Sequence, residues 1–363
     1  MQKDIRVNVF RALKSAGIFD RVRDSRWRQQ KLLILCYHCL AVEDENLWRP
    51  ALFLTQDRLR QRFEMLKVGG YHVVPFDEGL ERLRTNELGP REVVLTFDDG
   101  TYDFYKLVYP LLREYGFPAT VYQTTHYCPR RLPVFPLICS YMLWTARGRD
   151  LPAVPSIGVA REISLAESTA RESVVVQMQQ FSERERLTTE GKNQLSAELA
   201  KRLEIDYKAV LSKRILQLMT AEEIGELASA GIRFELHTHR HRVPRDRELF
   251  LREIRDNRSA LEDMTKTPAK HFCYPSGDYD PMFLPWLREA GIVSATTCFP
   301  ALVSTGSHRL ALPRFVDTTG QTEVEFEGWL TGAAALLSSV AAATGLRNVT
   351  KHRYKLPESR LQD

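Results

Sequence analysis

Eight short apolar segments, rich in β-branched and aromatic residues, recur along the chain with helical patterns between most of them. They are LLILCYH (32–38), HVVPF (72–76), VVLTF (93–97), ATVYQT (119–124), RFELHT (233–238), HFCYP (271–275), IVSATTC (292–298) and LALPRF (310–315). Runs that are apolar at successive positions suit strands covered on both faces, the condition of parallel sheets flanked by helices. Between them, Leu59, Phe63 and Leu66 follow Thr55 at helical spacing and stop at Gly69, and Leu107, Val108, Leu111 and Leu112 precede Gly116. Thr220 and Glu223 form a capping-box pattern ahead of Ile224, Leu227 and Gly231. This alternation predicts an α/β fold, a distorted (β/α) barrel of seven or eight parallel strands, with an open doubly wound sheet as the alternative.

One interval breaks the alternation. From about Cys128 to Gln217 no strand–helix rhythm is legible, and residues 161–204 are charged and helical in character. The stretch reads as a helical insertion, either a wall beside a site or a surface elaboration. The chain thus divides into a basic N-terminal helical extension (1–31), a barrel (32–320) carrying the insertion at about 128–217, and a C-terminal helix and tail (321–363).

The extension holds nine Lys/Arg against three Asp, beside an apolar stripe of Val7, Phe10, Leu13, Ile18 and Phe19. Such a helix either packs on its own domain, the favoured reading, or makes peripheral contact with an anionic membrane surface. No apolar core of signal-peptide type follows the start, so a cytoplasmic location is expected. WLTGAAALLSSVAAATGL (329–346) is short and interrupted, which predicts a packed helix rather than a membrane span. A net charge of +5 without arginine–aromatic interleaving gives no case for nucleic acid as a partner. Six cysteines in a chain of 363 residues do not make a disulfide framework. Cys36 and Cys39 form a C-x-x-C that closes a strand and lacks a second close pair, so both are read as ordinary residues.

Chemistry-bearing residues collect at the C-terminal ends of the predicted strands, where barrel enzymes place their sites. Asp98 and Asp99 end VVLTF, HTHRH (237–241) ends another strand, and His38 and Pro275-Ser276-Gly277 end two more. Two adjacent carboxylates repel unless a positive charge sits beside them. His237 and His241 stand four residues apart and, with Asp99, make a His-His-Asp set that leaves metal positions open for water and substrate. Asp98 then stays free beside the cation. His239 competes for either ligand role but is read as pointing away.

TFDDG (96–100) together with HTHRH, which matches H-[ST]-x-x-H, resembles the polysaccharide deacetylase family, carbohydrate esterase family 4 or NodB-homology domain, over about residues 32–316 without the insertion. The resemblance implies that Asp98 acts as general base and that Asp99, His237 and His241 hold one divalent metal ion, zinc by default, with cobalt or nickel fitting the same ligands. It implies an N-acetylated carbohydrate substrate and deacetylation of a sugar polymer or a lipid-linked or oligosaccharide precursor. The family's third motif, R-x-P-Y-G, reads CYPSG (273–277) here. Cys273 thus replaces the arginine that holds the catalytic Asp, and Ser276 is left to offer its backbone N–H to an oxyanion. Arg314 in LPRF (312–315) is the candidate to take over the arginine's task. LCYHCL (35–40) is similar to the early Tyr-His motif of a circularly permuted branch of the family, which implies His38 as general acid. Three rivals remain open: hydrolysis of another C–N bond, as in a deformylase or amidase; a catalytically silent glycan-binding module; and a membrane-surface protein working on lipid-linked sugars, suggested by the basic N-terminus. The residues that bind substrate, and the oligomeric state, are not legible.

Overall fold

In the computed structural model, which describes residues 2–343, all eight predicted strands fall in one sheet. They are β1 (Leu33–Tyr37), β2 (His72–Val73), β3 (Glu92–Phe97), β4 (Thr120–Gln123), β5 (Arg233–Leu236), β6 (His271–Cys273), β7 (Ser294–Thr296) and β8 (Phe315–Val316). Seven run in the order β7-β6-β5-β4-β3-β1-β8, and β2 lies beside the start of β3. Every pairing between them is parallel. The two ends of this path are joined by the chain entering β8: Leu312 N–H donates to Ala295 O and Thr297 N–H to Leu312 O, both at 2.8 Å. Arg314 N–H then donates to Phe299 O at 3.0 Å. The sheet therefore closes as a distorted (β/α) barrel.

Register decides which side chains share a face. Ile34 pairs with Val94, Cys36 with Thr96 and Tyr37 with Phe97. Because strand side chains alternate, Leu32, Ile34 and Val94 form one apolar layer with Val74, Phe76 and Leu312. Continued to the strand ends, that face carries Cys36, Thr96 and Asp98. The odd positions, Leu33, Leu35, Tyr37, Val93, Leu95 and Phe97, join a larger core with Leu59, Phe63 and Leu66 of the helix Gln56–Val68. Every residue of β1 and β3 is buried, and at about 1.5–3 kcal/mol for each large apolar side chain these layers dominate the stability of the barrel.

The helix signals act as their chemistry requires. Thr55 Oγ1 accepts Arg58 N–H at 3.2 Å to open Gln56–Val68, and Gly69 closes it. Thr220 and Glu223 exchange both capping-box bonds at the start of Ala221–Ser229. HVVPF yields only two strand residues, because Pro75 has no N–H to give and the helix Phe76–Thr85 starts after it.

The helix Gln2–Ser15 lies on the helix Glu323–Thr331. Val7 and Phe10 are buried, and the Phe10 ring fills the space at Gly328, where a Cβ would come within 2.6 Å of it. Arg6 pairs with Glu325 and Lys14 with Glu327, both at 2.5 Å. No helix of the described residues is long and apolar enough to cross a membrane. The predicted tail beyond residue 343 lies outside the described residues.

Residues 135–212 build a second, smaller core from the helices Phe135–Thr145, Ser168–Arg184, Thr189–Arg202 and Tyr207–Ser212, centred on Ile138, Met142, Val174, Met178 and Leu199. The helical character expected from residue 161 begins at Ser168. Before it, Ile163–Ser164 pairs antiparallel with Asp150–Leu151, a ladder too short to show a period in sequence. Cys39 and Phe53, from the ladder Cys39–Leu40 with Phe53–Leu54, belong to the same cluster and tie it to the end of β1.

Candidate active site

The carboxylate pair owes its position to β3. Asp98 N–H donates to Tyr37 O at 2.9 Å, extending the ladder one residue past the strand. The chain then turns through Asp99 (φ 70°) and Gly100 (φ 73°). A Cβ on Gly100 would lie 1.9 Å from Gln123 Oε1, so any other residue would have to displace the buried Gln123 amide as well as bear the left-handed backbone. Thr124 fixes the turn by donating its N–H and its Oγ1–H to Asp99 O, at 3.3 and 3.2 Å. The two carboxylates leave this turn toward different partners.

Asp99 turns to the histidines. Its Oδ1 lies 3.3 Å from His237 Nε2 and 3.1 Å from His241 Nε2, and the three ligand atoms lie within 4.8 Å of one another. His237 Nδ1 lies 2.9 Å from the Cys273 carbonyl. A carbonyl only accepts, so a proton sits on Nδ1, and the neutral form of the ring aims its Nε2 lone pair at Asp99. A lone pair facing a carboxylate oxygen is repulsive unless a cation or a proton lies between them. Asp99 Oδ1 is also buried without a hydrogen-bond partner among the described atoms. One carboxylate oxygen and two imidazole nitrogens converging on one point fit a divalent cation. Burial opposes ionisation of Asp99, yet positive charge on the His241 and His237 side, a proton or a cation, holds its carboxyl well below the ordinary range.

The histidine loop is strained and heavily braced. Thr238 (φ 61°) and His241 (φ 58°) both sit in the left-handed region, an arrangement that persists only where surroundings enforce it. The helix Arg247–Thr265 supplies the enforcement. Asn257 Oδ1 accepts His237 N–H at 2.9 Å, while its Nδ2 donates to Gln123 O and Thr125 Oγ1, both at 3.0 Å. Glu253 accepts from Arg240 N–H at 2.7 Å and from its guanidinium at 2.9 Å. His239 turns to Thr125, its Nδ1 2.8 Å from Oγ1, and away from Asp99.

Asp98 turns to Arg314. Nη1 donates to Oδ1 and Nη2 to Oδ2, each at 2.7 Å, and neither side chain is reached by solvent to any extent. Arg314 spends its other donors on Thr297 O (3.1 Å), Thr96 Oγ1 (3.0 Å) and Cys273 Sγ (2.9 Å). Burial would raise the Asp98 pKa, but the guanidinium charge and its two hydrogen bonds win and hold the carboxyl ionised. His38 Nε2 stands 3.8 Å from Asp98 Oδ2, with its ring partly exposed. Ser276 lies just beyond β6 at φ 56°, inside the third motif, in the turn Pro275–Gly277.

Six of the seven residues singled out in the sequence are thus linked by these contacts: Asp98 with Arg314 and His38, and Asp99 with His237 and His241. Ser276 enters through its position after β6, next to the strand whose Cys273 carbonyl holds His237. Cys36, read from sequence as ordinary, is not: its Sγ is 3.5 Å from Asp98 Oδ2. Cys273 Sγ is 3.4 Å from the same oxygen. Cys298, Asn257 and Glu253 also escaped notice. The only signal for Cys298 was its place at a strand end, and nothing near Asn257 or Glu253 distinguishes a helix face that braces a loop from one in a core.

A protein-family comparison matches residues 85–146 and 192–295 to the model described as polysaccharide deacetylase. Over 94 residues, 26% of this chain, the sequence is 33% identical to the poly-beta-1,6-N-acetyl-D-glucosamine N-deacetylase of Escherichia coli K12. That match spans 14% of the length of the curated relative. Among solved structures, the Streptococcus pyogenes deacetylase PplD in complex with acetate superposes with a TM-score of 0.55 at 18% identity, covering 83% of this chain and 98% of that one. IcaB from Ammonifex degensii gives 0.50 at 16% identity, covering 83% and 97%. At these identities the two structures speak to the fold.

Proposed function

Since the chain belongs to the polysaccharide deacetylase family, we propose that it is a metal-dependent hydrolase removing N-acetyl groups from an N-acetylated sugar polymer or from a lipid-linked or oligosaccharide precursor. The observation that carries this reading is the division of labour at 98–99: Asp99 shares a cation position with His237 and His241, and Asp98 is held separately by Arg314. The named activity of the curated relative favours poly-N-acetylglucosamine as the polymer.

In this reading Asp99 Oδ1, His237 Nε2 and His241 Nε2 hold the metal, zinc for preference. When bound, the cation polarises the acetamide carbonyl and acidifies the attacking water. Asp98 takes the proton of that water at a carboxylate oxygen, and Arg314 keeps the carboxylate ionised and oriented for it. The Ser276 N–H adds a donor for the oxyanion. His38 hands a proton to the departing amine, releasing acetate and a free amino sugar. Residues 32–320 form the catalytic unit, with 128–217 as an insertion beside it. Any contact with an anionic membrane falls to the outward side of the helix Gln2–Ser15, where Ile5, Val9 and Arg11 are exposed; co-sedimentation with acidic vesicles, with and without Ile5→Glu and Val9→Glu, reads that contact directly.

The silent-module alternative drew on the missing third-motif arginine, and the paired hydrogen bonds of Arg314 to Asp98 support Arg314 as its substitute. The deciding experiment loads the purified protein with zinc and measures acetate and formate release from N-acetyl and N-formyl glucosamine oligomers. Acetate from the N-acetyl oligomers is expected. Formate alone would assign the deformylase rival, and a metal-loaded protein releasing neither would overturn the hydrolase reading.

A further inference from the structure

Three sulfurs crowd the Asp98–Arg314 pair, and the proposed hydrolysis uses none of them. Cys273 Sγ lies 2.9 Å from Arg314 Nη2, Cys298 Sγ lies 3.8 Å from the same nitrogen, and Cys36 Sγ lies 3.5 Å from Asp98 Oδ2. They arrive from the end of β1, the end of β6 and the chain just past β7, so only closure of the barrel brings them together. Their access differs. Cys36 and Cys273 are fully buried, whereas Cys298 is partly exposed and precedes Phe299, itself 63% exposed. Their chemistry differs too. Burial pushes the Cys36 and Cys273 thiols well up. The hydrogen bond from Cys36, helped by the Arg314 charge and opposed by burial, brings Cys298 down to about 6. A sulfur on a partly exposed residue, beside a fixed guanidinium, has the surroundings of a reactive thiolate.

We propose that Cys298 is a reversible oxidation site through which peroxides shut off the hydrolytic centre. The Cys298 thiolate attacks one peroxide oxygen; the S–O bond forms, the O–O bond breaks, and the departing hydroxide takes a proton to become water. Sulfur loses two electrons and the peroxide gains them. The new sulfenate oxygen stands where Arg314 Nη2 can donate to it, in competition with Asp98 Oδ2. A small thiol reverses the change: it attacks the sulfenic sulfur, expels water and leaves a mixed disulfide, which a second thiol cleaves. The product stays a sulfenate because the segment 309–316 runs between β7 and β1. Two strand spacings put the Cα atoms of Cys36 and Cys298 about 10 Å apart, beyond the roughly 7 Å that a disulfide spans.

The test treats the full chain with hydrogen peroxide, labels it with a dimedone-type probe for sulfenic acid, and maps the label by peptide mass spectrometry. Acetate release is followed in parallel, before and after dithiothreitol. Label on Cys298, loss of most of the activity, its recovery with dithiothreitol, and a Cys298→Ala variant that starts active and resists peroxide are expected. Label on Cys36 or Cys273 instead, a Cys36–Cys298 disulfide, no label at all, or a Cys298→Ala variant inactivated like the parent would overturn the proposal. The labelling needs no substrate, so it stands or falls apart from the deacetylase reading.

Discussion

Arg314 closes both ends of its guanidinium on Asp98, Nη1 to Oδ1 and Nη2 to Oδ2 at 2.7 Å, across 216 residues of chain. A planar fork that matches a carboxylate in this way cannot be copied by an ammonium. Removing one member leaves the other charge buried alone. Arg314→Met is expected to cost about 3–5 kcal/mol of stability, and Arg314→Lys a substantial part of that. Adding Asp98→Asn to Arg314→Met should restore much of the loss without restoring activity. Denaturant unfolding of the two single variants and the double variant checks this; a double variant as unstable as the sum of the singles would contradict it.

Asp98 and Asp99 are neighbours to which we assign separable tasks. Asp98→Asn is expected to keep its metal and lose turnover by about a hundredfold to ten-thousandfold. Asp99→Asn and His237→Ala should lose bound metal as well as turnover. Metal analysis beside an acetate assay distinguishes the two classes, and equal metal loss in all three variants would refute the division.

His38 stands 3.8 Å from Asp98 Oδ2, and we propose it as the group that protonates the leaving amine. Its removal should matter only where the leaving group needs a proton. His38→Ala is expected to slow amide hydrolysis by about a hundredfold or more and to leave cleavage of an aryl acetate nearly unchanged. An equal loss on both substrates would point to a structural task instead.

Asp103 gives the fold a pH signature. Its Oδ2 accepts Leu40 N–H at 2.6 Å, just past His38, and burial raises its pKa from 3.8 to about 7. Between those values the folded chain holds a proton that the unfolded chain has released. Stability therefore falls as pH rises from about 4 to about 7 and levels off above, with a slope of up to about 1.4 kcal/mol per pH unit. Asp103→Asn should flatten this slope. Unfolding free energies at a series of pH values test it, and an unchanged slope would remove Asp103 as the cause.

The barrel was legible in the sequence because its strands are buried on both faces, and uninterrupted apolar runs such as LLIL and VVL mark that condition. The convergence of Asp99, His237 and His241 was legible as well, since their spacing and strand-end positions suggest a shared point. What closure alone creates was harder to read. LPRF suggested Arg314 only by its place at a strand end, and no spacing rule links Cys36 to Cys298. The short ladder Asp150–Leu151 with Ile163–Ser164 escaped because two residues cannot display a period. Asn257 and Glu253 escaped because a polar residue on a helix looks the same in sequence whether it meets solvent or braces a loop.

Because the closing strand both seals the sheet against β1 and delivers Arg314, a chain emerging from the ribosome leaves Asp98 without its counter-charge until residue 316 is free to dock. With Asp98 as the proposed base, a half-made molecule should hydrolyse nothing, and competence arrives with the final stave.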